Sequence, residues 1–199
     1  FAEALTPNKL ASVFKDIYQH WDGGLFQHLL QRLQVPADTR IKDLSRGMTM
    51  KLATAAALSH GAKLLLLDEA TSGLDPVVRE EMLDLFLEFV EDEEHSILIS
   101  SHITSDLEKI ADYITFIHSG RIILTEDKDI LLHQYGIARC TADQFQSLDK
   151  SEYLSSRKRG FQVDVLISDK ESFSRQHRDI TVDNTTIDEI MLLLVKGDQ

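Results

Sequence analysis

The chain has 199 residues, and 33 acidic side chains against 21 basic ones give it a formal net charge of −12. Hydrophobic residues make up 43% of the sequence, enough for a buried core, and the length allows one domain with a small appendage. The charge argues against a nucleic-acid-binding protein, because a surface that faces phosphates should be basic. The single cysteine excludes a disulfide framework, and no aliphatic run approaches the ~20 residues of a membrane span.

Two apolar stripes at helical spacing predict a helical hairpin in about the first 35 residues. Pro7 and a predicted N-cap at Asn8 precede the first stripe, Gly23-Gly24 separates the two, and Val35-Pro36 ends the second. We expect both stripes to pack in the core. The first contains Leu10, Val13, Phe14, Ile17, Tyr18 and Trp21, and the second Leu25, Phe26, Leu29, Leu30 and Leu33.

Two short apolar segments on either side of a helix predict neighbouring parallel strands. Leu64–Leu67 stands between Gly61 and an acidic pair, so we expect a strand that is buried on both faces. An amphipathic helix follows from Pro76, and the next predicted strand is Ser96–Ser100.

A short helix over about 104–111 and a β-hairpin are predicted next. The hairpin consists of Tyr113–His118 and Arg121–Thr125, which alternate in hydrophobicity around Ser119-Gly120.

The last part of the chain, residues 137–199, is more polar and carries no recognisable chemistry. We predict strands near 137–141 and Phe161–Ile167, and a closing helix over Ile187–Lys196. The basic triplet Arg157-Lys158-Arg159 is interpreted as a charged turn, with a contact to a partner or a membrane surface as the alternative.

The predicted strand Leu64–Leu67 runs directly into Asp68 and Glu69. Such a pair alone is equally consistent with helix-capping acids. A carboxylate at a strand tip can, however, hold Mg²⁺ through water, and a second one can act as general base toward an attacking water. The next strand leads into His102, so an imidazole is expected at a neighbouring strand tip, where it could contact a terminal phosphate.

A possible anion site opens the helix that follows Leu44. Ser45 fits an N-cap, and Gly47 leaves room beside the free N–H groups of the first turn. An ordinary capped helix is the alternative reading of this segment taken alone.

In order and spacing, these segments resemble the motifs of an ABC-type ATPase, the nucleotide-binding domain of ATP-driven transporters. The resemblance covers about residues 1–125, and four motifs in the right order make it specific. Residues 137–199 resemble the accessory tail of the bacterial exporter-type subgroup. The four motifs are Leu44–Met48 for the signature motif, Leu64–Glu69 for Walker B with its catalytic glutamate, Ser72–Asp75 for the D-loop and Ser100–His102 for the switch-histidine loop.

Two departures from the family pattern stand out. The signature has Arg46 where a first glycine is usual and Met48 where glutamine is usual, while Ser45 and Gly47 are retained. No G-x-x-x-x-G-K-[ST] phosphate-binding motif occurs in the 199 residues. In the family that motif lies N-terminal to the others, so we expect a truncated product that begins at Phe1 without its phosphate cradle.

The resemblance implies an α/β fold. The expected fold is an incomplete P-loop NTPase domain with a helical subdomain, a parallel-strand core, a β-hairpin and a small α+β C-terminal extension. We expect the helical signature subdomain in residues 1–61, the C-terminal part of the ATPase core in 62–136 and the extension in 137–199.

The resemblance also implies ATP and Mg²⁺ as cofactors and a role for each matched residue. One set of residues acts on the ATP that its own subunit holds. Another set contacts the ATP that a second nucleotide-binding domain holds. The implied residues are Glu69 and His102 for catalysis, Asp68 for Mg²⁺ through water, Ser45 and Gly47 for the partner's ATP, and Asp75 for the contact across the interface.

The implied function is the ATP-hydrolysing subunit of an ABC membrane transporter, an exporter, located in the cytoplasm on the inner face of the cell membrane. Its expected partners are a transmembrane subunit and a second nucleotide-binding domain, identical or different, and no nucleic acid. The chain alone is expected to bind and hydrolyse ATP poorly.

Three alternatives stay open. A chromosome-maintenance head should carry a long heptad arm, which the sequence lacks. An ABC-type translation factor should present a basic surface, which the charge of −12 disfavours. The third alternative is a non-catalytic regulatory half that lost its phosphate-binding loop.

Overall fold

The computed structural model describes residues 3–198 of the chain. The chain divides into two compact units, Phe1–Ile103 and Thr104–Gln199. Among the described residues, no helix combines the length and the hydropathy needed to cross a bilayer. The finer division at residues 61 and 136 stays a prediction.

Three capped helices begin the first unit. Thr6, Asp22 and Ser45 each accept a hydrogen bond from a backbone N–H of the following first turn, which satisfies a donor that a helix start leaves open. The first helix starts at Pro7, so the prediction of Asn8 as its N-cap was wrong; proline suits this position because no N–H is needed there. The helices are α1 (Pro7–Ile17), α2 (Gly23–Arg32) and α3 (Arg46–Leu58).

The second predicted stripe supplies four of the eleven buried residues in the core of this unit. Its residues Phe26, Leu29, Leu30 and Leu33 are buried and pack with side chains of α3. The first stripe contributes less than expected, because Ile17 is 64% exposed. The reason is that α1 ends there, so the later residues of the stripe no longer share a helical face.

Two parallel strands, β1 (Leu64–Asp68) and β2 (Ser96–Ser100), are connected through α4 (Pro76–Val90). The prediction that β1 is buried on both faces was wrong. Leu65 is 3% exposed, whereas Leu66 on the opposite face is 69% exposed. Successive side chains of a strand point to opposite faces, and within residues 3–198 only one face of this strand pair is covered.

The second unit begins with α5 (Thr104–Ile110) and the predicted antiparallel hairpin. Ser119 and Gly120 at its turn both have positive φ, 49° and 74°, as the two central residues of a type I′ turn do. The hairpin prediction is confirmed. Its strands are β3 (Tyr113–His118) and β4 (Arg121–Asp127), and α6 (Lys128–His133) follows.

The rest of the second unit is a four-stranded antiparallel sheet with strand order β6-β7-β5-β8. With the chain order strand–helix–strand–strand–helix–strand, this is the ferredoxin-like arrangement. The closing helix has the predicted bounds. The elements are β5 (Gly136–Thr141), α7 (Ala142–Ser147), β6 (Ser155–Arg159), β7 (Gln162–Ile167), α8 (Lys170–Gln176), β8 (Thr181–Asn184) and α9 (Ile187–Lys196).

The interpretation of Arg157-Lys158-Arg159 as a turn was wrong, because the triplet lies in β6. This strand has no apolar residue and stands at the sheet edge, where charged side chains are favoured because they discourage pairing with other chains.

One face of this sheet holds Cys140, which is fully buried among apolar side chains. Burial, followed by the negative charges of Asp179 and Asp164, raises the pKa of its thiol from 9.0 to about 11.

We expect iodoacetamide at pH 8 to alkylate Cys140 at least about 100-fold more slowly in the folded chain than in guanidinium, because the thiolate is the reactive form. Mass spectrometry of timed samples measures both rates, and the assignment is unambiguous because the chain has one cysteine. Equal rates in the two conditions would contradict the buried environment of this side chain.

Candidate functional site

The carboxyl ends of β1 and β2 meet at one edge of the first unit. The register places Asp68 beside Ser100, and the Ser100 hydroxyl donates a hydrogen bond to Asp68 Oδ1. The backbone N–H of Glu69 donates to the carbonyl oxygen of Ser100 at 3.0 Å. Two acids and a hydroxyl therefore lie together where the two strands end.

His102 joins this group through Glu69. Its Nδ1 lies 2.6 Å from Glu69 Oε2, and the side chains of His102 and Glu69 are 68% and 41% exposed. When Nδ1 carries the proton, it donates a hydrogen bond to the Glu69 carboxylate. Nε2 then has no protein partner among residues 3–198. The structure thus brings together the acid pair and the imidazole of the sequence prediction, while their catalytic roles stay predictions.

The backbone of Glu69 is unusual. Its φ is +49°, a left-handed conformation that is uncommon for residues other than glycine. The Ser72 N–H donates to the Glu69 carbonyl oxygen at 3.0 Å and closes the turn that follows. Strained backbone of this kind is concentrated at functional sites, and here it sets the direction in which the chain leaves β1.

The D-loop segment ends in a helix cap. Asp75 accepts hydrogen bonds from the N–H groups of Val77 and Val78, at 3.2 and 3.1 Å, and so fixes the start of α4. The predicted contact of Asp75 across a subunit interface stays a prediction.

The signature segment packs against the D-loop. Ser45 Oγ accepts a hydrogen bond from the N–H of Met48 at 3.2 Å, and within residues 3–198 its own proton is donated to no protein atom. A Cβ built on Gly47 would lie 3.7 Å from Val78 and 3.8 Å from Leu74. These are ordinary van der Waals distances, so the start of α3 lies beside Leu74 and Val78 without requiring a glycine at position 47.

Arg46, the departure from the usual signature, lies against the D-loop glycine. A Cβ built on Gly73, whose φ is +69°, would come within 2.8 Å of an Arg46 guanidinium nitrogen. Sequence reasoning identified Arg46 as atypical but gave no partner for it. It included Ser100 in the switch-histidine motif but gave it no role, although a hydroxyl opposite a strand-tip acid is a detectable signal once the two strands are aligned.

The donor set suits magnesium that arrives with a nucleotide. Asp68 offers a carboxylate oxygen beside the Ser100 hydroxyl, and Mg²⁺ commonly binds one or two carboxylates together with substrate phosphates. In the described part of the chain, no group of three or more His, Cys, Asp or Glu side chains is arranged to hold a metal ion. The residues therefore fit a phosphate-bound ion better than an independent metal centre.

The sequence comparisons all match this chain to proteins of ABC transporters. Residues 4–72 match the family model described as ABC transporter. The chain is 30% identical over 135 residues to the ABC transporter ATP-binding protein YtrB of Bacillus subtilis, which covers 68% of the chain and 46% of YtrB. It is 44% identical over 89 residues to the lantibiotic transport ATP-binding protein SrtF of Streptococcus pyogenes, covering 45% of the chain and 38% of SrtF.

A solved structure supports the fold. An ATP-binding subunit of an ABC transporter superimposes with a TM-score of 0.54 at 23% identity, and the match covers 66% of this chain and 56% of that one. This likeness confirms the predicted fold class. The matches span less than half the length of YtrB and of SrtF.

Proposed function

Because the chain carries an ABC-type ATPase region, we propose that it belongs to the ATP-binding and ATP-hydrolysing subunit of a bacterial ABC exporter. The observation that carries this proposal is the hydrogen bond between Glu69 and His102 beside Asp68, at the carboxyl ends of two parallel strands. In this proposal, Glu69 is the base, His102 supplies the imidazole and Asp68 supplies the carboxylate for Mg²⁺.

In the proposed mechanism, Glu69 accepts the proton of the attacking water. Its hydrogen bond to Nδ1 orients the imidazole of His102, so that Nε2 is available to a terminal phosphate oxygen. Asp68 would hold Mg²⁺ through water, and the bound ion would supply positive charge beside the phosphates. Ser100 fixes the Asp68 carboxylate from the side of β2.

A second part of the proposal concerns the start of α3. Ser45 and Gly47 contact the terminal phosphate of ATP that a second nucleotide-binding domain holds, since the N–H groups of a helix start favour anions. The Ser45 hydroxyl can donate to that phosphate while it still accepts from Met48. Asp75 lies at the interface between the two domains.

Closure of the two domains on ATP and their opening after hydrolysis would bias a transmembrane partner between two states. This role places the protein at the inner face of the cell membrane, without nucleic acid. The export direction is supported by the resemblance of residues 137–199 to the tail of exporter-type proteins.

Ser45→Ala tests the contribution of α3. In the complete gene product with its membrane subunit, we expect ATP turnover to fall at least about tenfold, because a donor to the developing phosphate charge is lost. Phosphate release in lipid nanodiscs measures this rate over a range of ATP concentrations.

Thr6→Ala is the matched control, since Thr6 is also an N-cap hydroxyl, on α1. Both substitutions remove a cap that contributes about 1 kcal/mol to stability, so a purely structural effect would lower activity equally in the two variants. That result would remove Ser45 from the phosphate site.

A further inference from the structure

We propose that the β6–β7 hairpin binds the headgroup region of an anionic lipid bilayer, with Phe161 inserted and the basic side chains of β6 against lipid phosphates. This inference rests on the second unit alone and is independent of the ATPase proposal.

The tip of the hairpin is a well-defined turn. Arg159 pairs with Gln162 at the end of a continuous register, which leaves Gly160 and Phe161 as a two-residue loop. Gly160 has a φ of +62°, which fits the first position of a type II′ turn. The turn therefore holds Phe161 at a fixed place at the end of two paired strands.

Phe161 is completely exposed, with a relative exposure of 102%. No other part of the described chain shelters its ring. A large aromatic side chain in this position loses the free energy that burial would give, about 1.5–3 kcal/mol for a side chain of its size. Its exposure at the hairpin tip leaves an apolar group that can insert into a surface.

Three basic residues, Arg157-Lys158-Arg159, end the strand that leads to this turn. Arg157 and Lys158 form no ion pair within residues 3–198, and Arg159 donates through Nε to Asp164 at 3.1 Å. Because successive strand residues point to opposite faces, cations flank the tip on both faces of the hairpin. Their long apolar stems allow the charged ends to reach headgroups while the ring inserts. In a chain of charge −12, this triplet is a local reversal of sign.

Part of the edge of β6 is already paired and is therefore closed to strand addition. Ser156 exchanges two backbone hydrogen bonds with Asp198, at 3.0 and 2.8 Å. The tip is therefore the free part of this hairpin, and the partner must be one that a small tip can engage.

A lipid surface fits that requirement better than a protein or a nucleic acid. A stable protein interface needs about 800 Å² on each side, more than a two-residue turn offers. Nucleic-acid binding needs a basic surface, and the overall charge opposes it. A bilayer interface, in contrast, needs only an apolar group with a few cations beside it.

Vesicle co-sedimentation of the 199-residue chain tests the proposal. We expect binding to vesicles with about one-third phosphatidylserine and none to pure phosphatidylcholine, because each basic residue near an anionic surface contributes about fivefold in affinity. Phe161→Ser should weaken binding about tenfold. The double variant Arg157→Gln/Lys158→Gln should weaken it about 25-fold.

Matched controls use the same chemistry at other places. Ile122→Ser removes a 67% exposed apolar side chain from the other hairpin, and Lys9→Gln/Lys15→Gln removes two exposed cations from α1. Neither should change binding. In a Trp21→Phe/Phe161→Trp variant, the single remaining tryptophan should shift its emission to the blue with anionic vesicles only.

Binding that Phe161→Ser leaves unchanged would overturn the proposal, as would no binding at any phosphatidylserine content. Equal loss in the control variants would overturn it as well. Tighter binding to RNA or to an acidic polypeptide than to vesicles would assign the hairpin to that partner and contradict a lipid role. None of these results affects ATP turnover, so failure here is distinguishable from failure of the ATPase proposal.

Discussion

Glu69→Gln in the complete gene product is expected to lower steady-state ATP turnover by about 10²–10⁴-fold, the usual contribution of a general base. The amide oxygen of glutamine can still accept a hydrogen bond from His102 Nδ1, so the local geometry is retained. The amide cannot accept the proton of water, so the chemical step should slow while nucleotide binding persists. Phosphate release at saturating ATP, together with a nucleotide-binding titration, separates the two effects.

Glu93→Gln is the matched control, because Glu93 is an exposed glutamate in the segment between α4 and β2. It removes the same charge and should leave turnover unchanged. If Glu69→Gln has no more effect than this control, Glu69 is not the base and the proposed mechanism fails at its central step.

The 199-residue chain by itself is expected to show negligible ATP affinity, with a dissociation constant above about 1 mM. Its sequence contains no glycine-rich phosphate-binding loop with lysine, and that loop cradles the β- and γ-phosphates in this class of ATPase. In the proposed mechanism, the groups around Ser45 and Asp68 contact the terminal phosphate only after another segment has bound the nucleotide. Isothermal titration calorimetry with Mg-ATP measures the affinity directly.

The same titration on the complete gene product provides the positive control. Micromolar binding by the 199-residue chain would contradict the expectation of a missing cradle. In that case Ser45→Ala in the short chain would show whether the start of α3 supplies the site.

The proximity of Asp68, Glu69 and His102 could be predicted from the sequence because both strands that carry them have clear local signals. Asp68, Glu69 and His102 follow two apolar segments, and parallel neighbouring strands bring their carboxyl ends to one edge. The closing helix could also be predicted from the sequence, since Thr186 and Glu189 form a capping box at the start of a regular apolar stripe.

Other features depend on tertiary partners and could not be predicted. The exposure of Ile17 and Leu66 follows from which faces other elements cover, and periodicity alone does not contain that information. The edge strands β6 and β8 lack an apolar pattern because much of their surface faces solvent. The left-handed φ of Glu69 arises from the turn that follows it, and a glutamate does not signal this conformation.

The contact between Arg46 and Gly73 couples these two positions. A methyl group on residue 73 would displace the flexible end of the Arg46 side chain, and the residue would also keep a φ of +69°, which L residues rarely adopt. Substitutions at the pair should be non-additive, as is usual for residues in direct contact. The effect of a substitution at Gly73 should therefore depend on which side chain stands at position 46.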